Sequence, residues 1–472
     1  MKLAKILLVI AIIGFIASVA DSVSFIKAND ADIITIKHLH PDSTAGDKVM
    51  LPVGKDLKNL VDIRNNLVLA GKDFIEADLS AMRIRFYKSG EVSKDFPIIV
   101  KGKEGSWGET PSGLFTIKDK HKVAFSNLGD VYMPWHMVFW GEYSIHGMPY
   151  NPDGSLSARS FSSGCLNLRT NDAKELFSLA QLGLPVFIFD NDFAKDNYNY
   201  SLTGPVRKLS GLSAESYLVA DLKNGFVFGE KNSNSVLQIA SLTKLMTALV
   251  STDNFVLAYD GLHTTKVNIG EKSLLPDGEV PGLEYGERFS YFDLLYPLLI
   301  SSANDAAEAL ALRVGEVDFI ELMNERAQSL GMVNTKYFDA YGQDLGNVSS
   351  AEELYYLAQY LLNNRYWLLE ISKGKVYDDF GEVYFRNLEN PNIFVKNPDF
   401  IGGTLDATYS NNNNNALLLF NLKINEEIRP IVIILLNSGN SKTDTDNIMD
   451  WLQTIIADNS AKVPTNQLNV NN

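Results

Sequence analysis

One cysteine in 472 residues is the sharpest shortage in this sequence. Cys165 has no partner for an intramolecular disulfide, so no covalent staple supports the fold. Positive charge is also scarce: 42 Lys and Arg stand against 57 Asp and Glu, a formal net charge of -15. A nucleic-acid binder needs a basic face to neutralise phosphates, so no nucleic-acid partner is expected. There are six histidines, His38, His40, His121, His136, His146 and His263, and no set has metal-ligand spacing. Neither a metal nor another cofactor is expected. The apolar run Ile6 to Val19 is shorter than the roughly 20 residues a spanning helix needs. Lys2 and Lys5 precede it and the small residues Ser18 and Ala20 follow, the pattern of a secretory signal or, uncleaved, of an N-terminal anchor. Either way the body is expected to be exported, in a periplasm or on the outer face of the cytoplasmic membrane. A lone thiol in that setting is either a nucleophile or a small buried hydrophobe.

The chain is too long for one ordinary core, which stops growing near about 250 to 300 residues. Hydrophobic residues at 46% and charged residues at 21% fit folded globular domains. From Ile75 to Val100 apolar and polar residues alternate, with a turn at Ser89-Gly90; short strands follow at Gly113 to Ile117, Met133 to Tyr143 and Pro185 to Phe189. This half reads as β-rich. The polar stretch 192–212 reads as a linker. From Ser213 the texture becomes α/β, with a strand pair at Tyr217 to Phe228 and helical spacing at Ser241 to Val250, Tyr291 to Leu299, Asp305 to Val314, Phe319 to Leu330 and Ala351 to Leu362. Two strands, Ala416 to Ile424 and Arg429 to Leu436, precede a last helix near Asn447 to Ile456. Asn411 to Asn415 read as a turn, because Asn tolerates left-handed backbone. The organisation expected is thus multidomain: 1–20 signal or anchor, 21–71 of no readable role, 72–191 β-rich, 192–212 linker, 213–457 α/β (α+β), and 458–472 a polar tail. No amphipathic anchor follows the last helix, so any membrane attachment is expected at the N-terminus.

Chemistry concentrates first in Ser144-Ile145-His146-Gly147 and Ser162-Ser163-Gly164-Cys165-Leu166-Asn167-Leu168. A thiol attacks an acyl carbon as the thiolate, and an imidazole such as that of His146 can take its proton. Gly164 allows close backbone approach, and amides near Gly164 and Cys165 could hold an oxyanion. These segments resemble the YkuD-like L,D-transpeptidases, whose signature is His-Gly followed by Ser-x-Gly-Cys-x-(Arg or Asn). Thr110-Pro111-Ser112-Gly113-Leu114-Phe115-Thr116-Ile117 is similar to that family's Pro-x-Gly-x-Phe-x-Ile strand entry. The resemblance implies a β-sandwich-like domain acting on peptidoglycan stem peptides. Cys165 would attack the carbonyl between the third residue and D-Ala, forming a thioester that a neighbouring stem's amine resolves. His146, oriented by a backbone carbonyl, would be base and then acid. Many members carry His directly before Gly-Cys; Ser163 stands there instead. Asn167 and Arg169 are candidate ligands for the stem, with a surface salt bridge the alternative for Arg169. His136 reads as structural or substrate-lining.

A second pattern, Ser241-Leu242-Thr243-Lys244, sets a hydroxyl and an amine one helical turn apart. Lys can accept the serine proton only if burial or another cation keeps it neutral. With Tyr217-Leu218-Val219-Ala220-Asp221 and Ser302-Ala303-Asn304, it resembles the serine D-alanyl-D-alanine carboxypeptidases, a penicillin-binding-protein family with a β-lactamase-like α/β fold. The resemblance implies Ser241 as nucleophile, Lys244 as base, Ser302 as proton shuttle and Asn304 as a substrate ligand, with β-lactams as inhibitors. The family's Lys-Thr-Gly is missing: Phe400-Ile401-Gly402-Gly403 is followed by Thr404-Leu405-Asp406. Thr404 remains a candidate carboxylate ligand, whereas an acid nearby opposes both carboxylate binding and a neutral Lys244. Two readings of this module stand: a carboxypeptidase that trims pentapeptide stems, or an impaired module that holds stems or positions the transpeptidase. The cysteine module in turn either cross-links or, if water resolves its thioester, acts as an L,D-carboxypeptidase. Oligomeric state is not legible.

Overall fold

The computed structural model describes residues 60–126, 129–157, 160–190, 198, 200, 209–253, 266–274, 283–377, 384–406, 414–424 and 427–460. Leu51–Asn472 form one compact unit containing both modules. It opens with helix α1 (Leu60–Leu69), in a region whose sequence carries no readable pattern. The helix is held from a distance: Arg64 donates to the buried Glu76 at 2.7 Å, and Arg85 donates to the same carboxylate at 2.6 Å.

The first module contains strands β1 (Phe74–Asp78), β2 (Arg83–Lys88), β3 (Glu91–Pro97), β4 (Gly113–Thr116), β5 (Asp119–Ser126), β6 (Val131–Trp140), β7 (Tyr143–Gly147), β8 (Leu166–Leu168) and β9 (Pro185–Phe189), with α2 (Thr170–Leu179) between the last two. They form two sheets, ordered β3-β2-β1-β9-β4 and β5-β6-β7-β8. Phe74, Ile75, Ala77, Val186, Phe187 and Ile188 are buried, as expected of central strands covered on both faces. The second sheet carries the Cys165 chemistry on its β7-β8 edge.

The second module is built on a sheet ordered β11-β10-β18-β17-β16, formed by β10 (Ser216–Asp221), β11 (Val227–Lys231), β16 (Phe400–Leu405), β17 (Asn414–Ile424) and β18 (Glu427–Ser438), while β12 (Leu237–Gln238) pairs with β15 (Val348–Ser349) and β13 (Lys266–Asn268) with β14 (Arg288–Ser290). Alternate residues divide between its faces. Leu218, Ala220, Val432 and Ile434 join the core beneath α3 (Thr243–Asp253), α4 (Tyr291–Ile300), α5 (Asn304–Val314), α6 (Glu316–Ser329), α7 (Ala351–Asn364) and α8 (Tyr366–Ser372). Tyr217, Val219, Ile431 and Ile433 pack the other way, with Ile448, Trp451 and Leu452 of α9 (Ser441–Ser460). The helix-side core continues into the first module, since Phe115, Phe139 and Trp140 belong to the same apolar cluster.

Some local expectations change. Ser241 lies in a 3-10 turn, Ala240–Leu242, immediately before α3 rather than within it. Asn414 and Asn415 begin β17, and 411–413 lie outside the described residues. Of the expected linker, Tyr198, Tyr200, Leu209 and Leu212 pack on the second module's core, so part of it is structural there. The signal or anchor at 1–20, His38, His40, His263 and most of the polar tail also lie outside the described residues. Among the described residues no helix is long and apolar enough to cross a membrane.

Candidate active sites

Strands β7 and β8 run parallel, with Ile145 opposite Leu166 and His146 opposite Asn167. Ser144 and His146 share one face of β7 because strand side chains alternate. Cys165 precedes β8 by one residue and meets that face: Ser144 Oγ donates to Cys165 Sγ at 3.4 Å. His146 Nδ1 lies 2.7 Å from the Gly147 carbonyl oxygen. That oxygen can only accept, so Nδ1 carries the proton and Nε2 is left as the acceptor. Burial of the ring, 3% exposed, drives its pKa down to about 4, against the pull of the Gly147 carbonyl. Burial pushes the Cys165 thiol up, against the Ser144 hydrogen bond. The resting pair is therefore a neutral thiol and a neutral imidazole.

The loop presenting the thiol depends on Gly164, whose φ is +105°. A Cβ there would sit 2.1 Å from the Tyr143 ring, so only glycine fits. Ser162 Oγ accepts from the Gly164 amide at 3.1 Å and donates to the Cys165 carbonyl at 2.6 Å. The Gly164 amide is thus engaged, which removes it from the expected pair of oxyanion donors. Thr110 Oγ1 donates to the Gly164 carbonyl at 2.9 Å and accepts from the Gly102 amide at 3.1 Å. Ser163 is half-buried beside Gly164. Asn167 is buried, its main chain paired with Ile99 and Val100, and its side-chain Oδ1 has no partner among the described residues. Arg169 is exposed at the N-cap of α2, past the end of β8. His136 is buried on β6 with its ring centroid 6.1 Å from that of His146 and 6.2 Å from that of His121, which pairs with Asp119. Sequence reasoning missed Ser144, Thr110 and Ser162 as parts of the site. Each stands inside a segment that its pattern singled out, Ser144 two residues before His146 on a strand and Ser162 at the head of Ser-x-Gly-Cys.

In the second module Lys244 enters α3 one turn after Ser241. Lys244 Nζ donates to Ser241 Oγ at 3.4 Å and to the Tyr341 carbonyl at 2.8 Å. Burial lowers its pKa to about 8, opposed by the carboxylates of Asp406 and Asp339. Asp339 Oδ1 accepts from the Tyr341 and Asn347 side, including Asn347 Nδ2 at 2.9 Å, and so shapes the loop that delivers the Tyr341 carbonyl. Gly342 packs on the nucleophile's turn; a Cβ there would lie 2.0 Å from the Ala240 carbonyl oxygen. The sequence pattern gave no pointer to this loop beyond its Asp, Gly and Asn content. Ser241, Asn304, Tyr341, Asp406 and Asn415 line one cavity of about 740 Å³. Ser302 has a left-handed φ of +58° in the turn before α5. Thr404 sits on the edge strand β16 opposite Leu417, half-buried. Asp406, just past it, occupies the cavity wall, and Lys396 is exposed on a separate turn.

Residues 72–188 match the family model of the L,D-transpeptidase catalytic domain, and residues 205–405 match that of D-alanyl-D-alanine carboxypeptidase. The second match ends one residue short of Asp406. A D-alanyl-D-alanine endopeptidase of Pseudomonas aeruginosa is 31% identical over 252 residues, covering 52% of this chain and 78% of the relative. The D-alanyl-D-alanine carboxypeptidase DacF of Bacillus subtilis is 30% identical over 193 residues, 40% of this chain and 48% of the relative. Against that relative, then, the chain spans about half the length. Penicillin-binding protein D2 from Listeria monocytogenes, solved in an ampicillin-bound form, is 28% identical; the match covers 51% of this chain and 97% of that one, with a TM-score of 0.43. Through its second module the chain thus belongs to the D-alanyl-D-alanine carboxypeptidase family, while its first module matches the model of the L,D-transpeptidase catalytic domain.

Proposed function

We propose that the protein is an exported peptidoglycan-remodelling acyltransferase whose first module cross-links stem peptides through a thioester at Cys165. The observation that carries the reading is the Ser144, His146 and Cys165 constellation on one face of β7-β8, with His146 Nδ1 committed to the Gly147 carbonyl. Burial penalises both ions, so moving the proton to His146 before attack is uphill. The reading is therefore that sulfur attack and proton transfer to Nε2 proceed together as the stem carbonyl becomes tetrahedral. The Ser144 hydroxyl stabilises negative charge developing on sulfur. The imidazolium then gives its proton to the departing D-Ala amine, leaving the neutral thioester. An incoming stem amine loses its proton to Nε2 as the new amide forms and the thiol is restored.

The test is incubation with tetrapeptide muropeptides and mass spectrometry. Dimers joined between the third residues of two stems are expected. Trimmed monomers alone would reassign the module as an L,D-carboxypeptidase.

For the second module, the Ser241 and Lys244 contact supports acylation of Ser241 by D-alanyl substrates and by β-lactams. At a pKa of about 8 roughly one Lys244 in ten is neutral at pH 7, enough for slow acylation. Asp406 favours the second reading, a module with weak turnover, because its charge holds Lys244 protonated and repels a substrate carboxylate. The relatives carry both carboxypeptidase and endopeptidase names, and one acyl-enzyme chemistry serves both. The Cys165→Ala protein, given pentapeptide monomers and cross-linked dimers, should release D-Ala or cleave dimers slowly and only while Ser241 is present. Fast Ser241-dependent turnover would refute the impaired reading.

A further inference from the structure

The two modules meet through a buried set of charges that belongs to neither catalytic centre. Arg365, at the end of α7, and Arg326, on α6, are both 0% exposed. Asp253, the last residue of α3, lies between them: Arg365 Nη2 donates to its Oδ1 at 2.9 Å, and Arg326 Nε lies 3.0 Å from its Oδ2. Both arginines also reach into the first module. Arg365 Nη2 lies 3.3 Å from the carbonyl oxygen of Glu109, and Asn364 Nδ2 donates to Glu109 Oε1 at 2.9 Å. Arg326 Nη1 donates to the Ser112 carbonyl at 3.1 Å. The approach is close: a Cβ on Gly113 would stand 2.9 Å from the Ser329 carbonyl oxygen.

Four buried charges are an expensive way to glue two domains. Well-packed apolar residues of the same volume hold an interface as well or better, whereas buried ionic groups impose a unique geometry. The geometry imposed here is that of residues 109–112. Between the two clamped carbonyls lies Thr110, whose hydroxyl holds the Gly164 carbonyl. Gly164 precedes Cys165 and packs on the fully buried side chain of Tyr143. The clamp therefore reaches the thiol loop in two steps: Arg365, Asn364 and Arg326 to residues 109–112, then Thr110 to Gly164.

We propose that Asn364, Arg365 and Arg326 of the carboxypeptidase-family module are positioning residues for Cys165, so that the transpeptidase site is completed in cis by the second module whether or not Ser241 turns over. This rests on the reading of Cys165 as the transpeptidase nucleophile. It gives the second module a function independent of its own chemistry. It also ties the two centres to one rod, since α3 carries Lys244 in its first turn and ends on Asp253.

The test uses the full chain, in which Cys165 is the only thiol, so alkylation reports on it without ambiguity. Arg365→Lys keeps the charge and loses the forked contacts; Asn364→Leu removes no charge and answers the question should Arg365→Lys lower the unfolding midpoint. Both are expected to cut the kcat of cross-linking about tenfold with KM little changed. Iodoacetamide should at the same time alkylate Cys165 faster at pH 8, with a pH midpoint shifted down toward an ordinary thiol, because a released loop admits solvent. Thr110→Val should behave likewise, and Thr110→Ser, which keeps the hydroxyl, should restore both readouts. Wild-type kcat and an unchanged alkylation profile in Asn364→Leu and Arg365→Lys would overturn the proposal. If the wild-type protein makes no cross-links, the alkylation profile still decides the coupling, and only the transpeptidase reading falls.

Discussion

The two candidate nucleophiles of this chain, Cys165 and Ser241, sit in sites that use burial in opposite ways. At Cys165 burial disfavours the ion of both thiol and imidazole, so the site rests uncharged. At Ser241 burial acts on Lys244 alone and helps, because it releases the ammonium proton more easily, while Asp406 works against it. The difference teaches that a matching motif does not by itself fix the ionisation of its base. Both modules carry a nucleophile-and-base pattern, joined in the second by the Lys244 to Ser241 hydrogen bond, and only in the second does a nearby carboxylate oppose the base. Both nucleophile turns are also shaped by a glycine that admits no side chain, Gly164 against a tyrosine ring and Gly342 against the Ala240 carbonyl.

The comparison breaks most visibly at the nucleophiles. Cys165→Ala should abolish cross-linked dimers, and His146→Gln should reduce them by about 10²- to 10⁴-fold, the usual worth of a general base. Mass spectrometry of muropeptides should show both losses while fluorescent penicillin labels Ser241 as before. Next come the glycines. Gly164→Ala should lower cross-linking about 100-fold, and Gly342→Ala should lower penicillin labelling of Ser241 by a similar factor, since misplacing a reacting group by about 1 Å costs that much. Each should spare the other module's readout, and loss of both activities from either change would show that the centres are not separable.

A smaller change isolates the electrostatic difference. Asp406→Asn removes a charge that favours protonated Lys244, so its pKa should fall below about 8 and Ser241 acylation at pH 7 should rise about fivefold. An unchanged rate, measured by stopped-flow labelling, would mean that Asp406 is not what restrains this module.

The smallest effect concerns acid stability. His136 and His146 both have folded pKa values lowered to about 4 by burial. Between pH 4 and an ordinary value near 6.5 the unfolded chain binds protons that the folded chain refuses, so stability rises with pH across that window and is lost as pH falls through it. Each histidine should contribute on the order of 1 to 3 kcal/mol. Thermal unfolding followed from pH 7 to pH 4 should show the midpoint falling, and His136→Phe should flatten the slope. An equally steep slope in that variant would place the acid sensitivity elsewhere.

What could be read from sequence follows the range of the interactions involved. Strands that read as short apolar runs, such as Pro185–Phe189, and apolar helices such as Tyr291–Ile300 were legible because the pattern that marks them is local. So were the two reactive segments, where nucleophile, base and turn glycine lie within a few residues or recur in a long pattern. Helix α1 was not legible, because Arg64 finds Glu76 only in the folded chain. Nor was the engagement of the Gly164 amide by Ser162, or the exposure of Arg169, since both depend on how the chain turns after each residue.

The sequence by itself determined that two modules of different family resemblance share one chain and that Cys165, His146, Ser241 and Lys244 stand in the motifs that carry those resemblances, because the motifs are contiguous. Only the tertiary structure decided their ionisation, since burial and neighbouring charge arise from packing. Only it could bring Asp406 to the Ser241 cavity, and Arg365 to Glu109 across 256 residues of chain.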